Sequence, residues 1–114
     1  MFSINFLNVD IPKQKNLEIA LSFIYGIGRK KAIFICKKLG FNSKSKFGLL
    51  NEKALKNLSG FIDFYFIHGY TLKRLKRQRL DFLVKIKTYR GTRLVSGLLV
   101  RGQKSRNKKL RKYF

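Results

Sequence analysis

The sequence has almost no acid. Five Asp and Glu stand against 27 Lys and Arg, for a formal charge of +22. A compact chain with that charge repels itself unless a partner supplies counter-charge. Cysteine is nearly absent too. Cys36 is the only one, so no internal disulfide can form. It lies among Ile33, Ile35 and Leu39 and reads as a small buried hydrophobe. His68 is the only histidine, and one Cys with one His cannot make a zinc site. Neither a metal nor a cofactor is expected. No apolar run approaches the roughly 20 residues of a membrane span. The longest, Phe61 to Ile67, is broken by Asp63. The opening MFSINFLNVD is neither an Arg-rich presequence nor a secretory signal. The few carboxylates form no recognisable acid–base or nucleophile pair, so the chain is not expected to be an enzyme.

What is present points the other way. Hydrophobic residues make up 45% of the chain, too many for a disordered polycation. Its 114 residues suit one small domain with an extension. The charge is uneven. Residues 73–114 hold 16 basic groups and only Asp81, a net +15, while residues 1–72 net +7. The first part reads as a mildly basic globule and the last part as an electrostatic arm.

Along the chain, residues 1–15 read as an extended arm that turns at Pro12. Asn16 can cap a first helix from Leu17 to about Ile24, with Leu17, Ala20, Leu21 and Ile24 on its inner face. Gly26-Ile27-Gly28 makes a tight turn into a second helix, from about Arg29 to Leu39, closed by Gly40. Its free N–H groups beside Arg29, Lys30 and Lys31 form an anion site of the helix-hairpin-helix kind. Residues 41–50 read as a polar loop. A third helix follows Asn51 and runs to about Ile67, burying Leu58, Phe61, Ile62, Tyr65 and Phe66. His68 to Thr71 is a turn. A fourth, strongly basic helix spans Leu72 to Lys87, with Leu72, Leu75, Phe82, Leu83 and Ile86 at helical spacing. Arg77 is one of many cations on its surface, and RNA is expected to face part of it.

Helical periodicity fades from Thr88. The stretch Tyr89 to Gln103, YRGTRLVSGLLVRGQ, interleaves Gly91, Gly97 and Gly102 with Arg90, Arg93 and Arg101. Glycine permits positive φ and close backbone approach. Arginine's planar fork fits phosphate oxygens and base edges. The segment reads as one held by an anionic polymer. The tail beyond it carries Lys104, Arg106, Lys108, Lys109 and Arg111 with few apolar anchors, and is expected to order only when bound. The chain is therefore expected to be mainly α, with a helical domain over 1–87 and an extended RNA-binding tail over 88–114. The domain holds a helix-hairpin-helix unit and a long basic helix.

Over nearly its whole length the sequence resembles the small-subunit ribosomal protein S-thirteen family. The residues that carry this are Asn8 to Pro12 with the following helix, Ile24-Tyr25-Gly26-Ile27-Gly28, and Thr88-Tyr89-Arg90-Gly91-Thr92-Arg93. Gly97-Leu98 and Val100-Arg101-Gly102-Gln103 complete the match. The chain departs where Leu99 replaces a common proline, and where Leu94, Val95 and Ser96 lack the family's histidine and basic residues. The resemblance implies a structural constituent of the subunit head that binds ribosomal RNA. It also implies contact with protein S-nineteen, and bridges to large-subunit protein L-five and large-subunit RNA. The tail would approach transfer RNA in the peptidyl site.

The chain has only three alanines and one proline and is rich in Phe, Ile, Lys and Asn, as A/T-rich codons dictate. With the match starting inside the first ten residues, a mitochondrially encoded protein is expected, and a bacterial cytoplasm is the alternative. The competing function is a DNA-binding helix-hairpin-helix repair module using the turn at 25–31. A cationic membrane-active helix is a third reading, but it leaves the glycine-rich segment unexplained.

Overall fold

The computed structural model describes residues 2–104. The chain divides after Leu72 into two compact units, so the expected boundary at Lys87 falls inside the second. The fold is mainly helical, with one small sheet.

The first unit opens with a hairpin where an extended arm was expected. Strands β1 (Ser3–Phe6) and β2 (Val9–Pro12) pair antiparallel, with Ile4 opposite Ile11 and Phe6 opposite Val9. Leu7 and Asn8 join them at φ 50° and 62°. Positive φ at both central residues matches the right-handed twist of the strands. A leucine in that conformation costs about 1–2 kcal/mol, offset by the packing of Leu7 against the core. No glycine marks the turn, so the sequence pattern alone does not announce it.

Helix α1 (Leu17–Ser22) starts after Asn16, yet the Asn16 side chain makes no capping hydrogen bond. Its first N–H groups are satisfied by the 41–50 loop instead. Leu17 N–H donates to the Ser45 carbonyl at 2.8 Å and Glu18 N–H to that of Ser43 at 3.2 Å. The helix ends before Ile24, but Ile24 and Ile27 remain buried in the turn that follows. Helix α2 (Arg29–Leu39) runs as expected. It ends at Gly40, φ 75°, where the N–H groups of Gly40 and Phe41 both donate to the Cys36 carbonyl.

The loop read as polar hides a core anchor. Phe47, in a short 3-10 turn (Phe47–Leu49), is fully buried and meets Phe6 edge-on at 5.7 Å. Its N–H donates to the Lys15 carbonyl, and that of Gly48 to the Lys13 carbonyl. Helix α3 (Glu52–Tyr65) buries Leu58 and Ile62, with Phe61 and Phe66 half-buried against the core. Tyr65, expected inside, is exposed. Thirteen buried apolar side chains form this core, all within the first unit. Cys36 is one of them, and burial, followed by the nearby Glu18 carboxylate, pushes its thiol above its ordinary 9.0. His68 lies in the irregular link after α3, its Nε2 2.7 Å from Asp63 Oδ1, and residues 69–71, expected to share a turn with it, are helical.

Helix α4 (Gly69–Lys85) begins earlier and ends sooner than periodicity suggests, and buries no residue completely. Within the second unit the largest difference is α5 (Tyr89–Val95), a helix where an extended segment was expected. Lys87 turns the chain at φ 54°. Thr88 then caps α5: its Oγ1 accepts from Gly91 N–H at 3.1 Å and donates to the Leu83 carbonyl at 3.0 Å. Leu94 is buried. Gly97, at φ 70°, stops the helix, and Leu98 N–H donates to the Arg93 carbonyl. Seven residues with two arginines and a glycine show too little apolar period to be read as a helix. No helix or strand follows through Lys104.

Candidate nucleic-acid interface

The turn between α1 and α2 keeps its expected shape but spends part of its charge internally. Gly26 sits at φ 98°, and a Cβ there would lie 2.7 Å from a Leu72 methyl and 3.2 Å from the Ile67 carbonyl oxygen. Its glycine serves packing and backbone geometry within the unit. Gly28 is exposed and extended, the residue before α2. Arg29 Nη2 lies 3.2 Å from Glu18 Oε1. Lys31 Nζ donates to the Gly26 carbonyl at 3.1 Å and stands over the Phe66 ring at 5.6 Å. Lys30 points into solvent. The three consecutive cations therefore play three different parts. That Glu18 holds Arg29 was not legible in the sequence.

The second unit gathers more charge. Residues of α4 and α5 enclose a cleft of about 460 Å³ lined by Lys76, Arg79, Leu80, Leu83, Arg90 and Leu94. Leucines supply an apolar floor, and three cations its rim. Of these only Arg90 was singled out from the sequence. Lys76 and Arg79 become site candidates through α5, whose return against α4 the sequence pattern did not reveal. Arg77 is exposed on α4, a neighbour of this group in sequence but not part of the lining.

Gly91 makes the close approach expected of it, but to the protein's own backbone. A Cβ there would lie 2.5 Å from the Leu83 carbonyl oxygen and 2.9 Å from the Val84 nitrogen. Gly91 is buried, as is Gly97. Both glycines serve the unit's own packing. Arg93 is half-engaged: its Nε donates to the Leu99 carbonyl at 3.0 Å, and its guanidinium lies 5.8 Å from the Tyr89 ring centre. Tyr89 is 72% exposed, so its other face is open. Arg101, Gly102, Gln103 and Lys104 are all exposed, Gly102 at φ 67° with nothing near a would-be Cβ. Arg106, Lys108, Lys109 and Arg111 lie outside the described residues.

Exposed guanidinium and ammonium groups around an apolar floor, beside an open tyrosine ring, can bind phosphates and stack a base. They offer no nucleophile or acid–base pair. Among the described residues no cluster of His, Cys, Asp or Glu could hold a metal ion, and no helix is long and apolar enough to cross a membrane.

A family described as Ribosomal protein S13/S18 matches residues 5–68. Small ribosomal subunit protein uS13 of Hydrogenobaculum sp. (strain Y04AAS1) is 42% identical over 98 residues, 86% of this chain and 78% of that protein. Small ribosomal subunit protein uS13c of Gracilaria tenuistipitata var. liui is 39% identical over 101 residues, covering 88% and 79%. The uS13 of Protochlamydia amoebophila (strain UWE25) is 36% identical over 107 residues, covering 93% and 88%.

Proposed function

The chain belongs to the ribosomal protein S13/S18 family, and from that premise we propose that it is a structural, non-catalytic constituent of the small ribosomal subunit that binds ribosomal RNA. The repair-module reading has no support in that family. The observation that carries the RNA reading is the rim of Lys76, Arg79 and Arg90 on the α4–α5 cleft, in a region netting +15. Tyr89 and Arg93 add a stacking face beside it. Lys30, and Arg29 when released from Glu18, supply a second phosphate contact at the Gly26–Gly28 turn. Arg77, Arg101, Gln103 and Lys104 extend the surface, and Gly28 and Gly102 leave room for a backbone to come close. Arg106, Lys108, Lys109 and Arg111 extend the charge along the tail.

The finer placement is part of the same proposal. The protein sits in the subunit head beside protein S-nineteen, reaches large-subunit protein L-five and large-subunit RNA across the subunit interface, and directs its tail toward peptidyl-site transfer RNA. The residue preferences of A/T-rich codons favour a mitochondrial ribosome over a bacterial one.

Salt-dependent binding tests the RNA role. Each phosphate neutralised contributes about −0.9 to the log–log salt slope on duplex and about −0.7 on single strands. Deleting residues 104–114 removes six cations. With half of them on phosphate, the slope should flatten by roughly 2 to 3, while the truncated chain still enters small subunits. A chain that fails to cosediment with small-subunit particles at low salt overturns the function. An unchanged slope removes only the tail from the RNA surface.

A further inference from the structure

The cleft between α4 and α5 has a composition that contact with a paired RNA helix does not use. On α4 its lining is Lys76, Arg79, Leu80 and Leu83, at helical spacings that share one face. On α5 it is Arg90 and Leu94, one turn apart. Leu94 is buried and Leu80 and Leu83 are half-buried, while the three cations are exposed. The walls are set by the chain itself. Gly91, next to Arg90, admits the Leu83 carbonyl where a Cβ would meet it at 2.5 Å. Thr88 Oγ1 donates to the same carbonyl. The one acid of residues 73–114, Asp81, lies off this lining and borders a separate hollow with Gln78, Phe82 and Lys85. The volume of about 460 Å³ is that of a small-ligand pocket.

We infer that this cleft receives one unpaired nucleotide of an RNA chain, its base against the leucines and its flanking phosphates on the cations. The inference rests on the RNA-binding reading and narrows it from phosphate contact to a base. A paired helix keeps its bases stacked and offers a protein phosphates and sugars. Cations alone suffice for that, and leucines beneath them would gain nothing. An unpaired base has apolar faces and can be splayed out of its strand. Laid on Leu80, Leu83 and Leu94, it takes the remaining apolar surface of the floor out of water. Its phosphates then fall at the rim, where Arg79 stands on one wall and Arg90 on the other. A guanidinium fork suits phosphate oxygens. Other occupants satisfy only half of the lining. An apolar protein segment would leave the cations without counter-charge, and a free anion would leave the leucines wet.

Two RNA hairpins test this with the full-length chain, one with a single bulged uridine and one with the same bulge made abasic. They carry the same charge and backbone and differ only in the base. The parent chain should bind the bulged uridine at least about fivefold more tightly at equal salt. Leu80→Asn should bring the two affinities within about twofold of each other, with amide protection of α5 unchanged. Leu80→Met, which keeps the floor apolar, should retain the preference. Arg79→Gln and Arg90→Gln should weaken both hairpins alike and flatten the salt slope by about 0.7–0.9 each. With 4-thiouridine at the bulge, irradiation should join the RNA to tryptic peptide 80–85. Equal binding of the two hairpins by the parent overturns the inference. So does a preference that survives Leu80→Asn or is lost in Leu80→Met. A crosslink confined to peptide 88–90 also overturns it, by putting the base on Tyr89. Failure of the RNA-binding reading itself looks different, because then neither hairpin binds at low salt.

Discussion

The first unit buries thirteen apolar side chains around a two-stranded hairpin and three helices. In the described part of the second unit, Leu94 is the only buried apolar side chain, alongside two buried glycines. Its helices are held by a threonine cap, a backbone-to-backbone approach at Gly91 and an arginine turned back to a carbonyl. Phe82 and Ile86 stay more than half exposed. The first unit thus resembles an ordinary small domain stabilised by apolar burial. The second lacks that reserve and carries most of the positive charge, so anion binding should add to its stability by mass action. The two regions should respond to different perturbations.

The largest expected effect lies in the first unit. Phe47 is fully buried and holds the 41–50 loop against Phe6. Phe47→Ala should cost about 3–5 kcal/mol, a large share of a small domain's stability. Urea unfolding followed by circular dichroism should show the midpoint collapse, and added RNA should not restore it. A loss below about 1 kcal/mol would show that the loop is peripheral and the contrast between the units overstated.

A smaller effect, confined to the second unit, comes from Gly91→Val. Any Cβ at 91 meets backbone atoms of Leu83 and Val84, which cannot move aside like a flexible side chain. Overpacking of this kind costs about 1–3 kcal/mol. Amide exchange should accelerate through α5 and the end of α4 while the first unit keeps its protection. RNA affinity should fall although no charge is lost. Unchanged protection of α5 would break the comparison at its weaker side.

Legibility followed the same division. Apolar period and glycine position located α2, Gly40 and most of the first core, because burial dictates periodicity. Phe47 was not legible, since the residues before it are polar and its burial depends on Phe6 far along the chain. The hairpin at Leu7–Asn8 was not legible because its turn residues lack glycine. In the second unit α5 escaped notice, being fixed by Thr88 and by an approach to Leu83 rather than by an apolar stripe. The arginines and glycines of 89–103 were recognised as a unit, but the pattern could not distinguish a glycine that admits RNA from one that admits α4. That distinction moved Gly91 and Gly97 into packing and brought Lys76 and Arg79 to the cleft.

Thr88→Ala probes the cap alone. Losing the hydroxyl removes both the bond from Gly91 N–H and the one to the Leu83 carbonyl. A lost cap costs about 1 kcal/mol. Serine keeps both bonds, so Thr88→Ser should restore most of the protection of α5 seen by amide exchange. Equal loss in the alanine and serine variants would assign the effect to the threonine methyl instead.

The smallest effect belongs to Glu18→Gln, at a side chain only 14% exposed in the well-packed unit. Its partner Arg29 is 72% exposed at the side chain, so solvent reaches the pair from the arginine side. Such pairs contribute about 0–1 kcal/mol, and glutamine can still accept from Arg29. Stability near neutral pH should therefore move by no more than about 0.5 kcal/mol. The thiol of Cys36 provides a more sensitive reading. Burial raises it first and the Glu18 charge second, so the variant should titrate lower than the parent yet stay above 9.0. A thiol raised in the folded state stabilises fully below its unfolded value. That contribution fades as pH climbs through the folded value. The alkaline loss of stability should thus end at a lower pH in the variant, and thiolate absorbance against pH should shift with it. Freed from a carboxylate, Arg29 should also bind RNA slightly better at low salt. Identical titration curves for the two proteins would mean that Glu18's charge does not reach Cys36, and that burial alone sets the thiol.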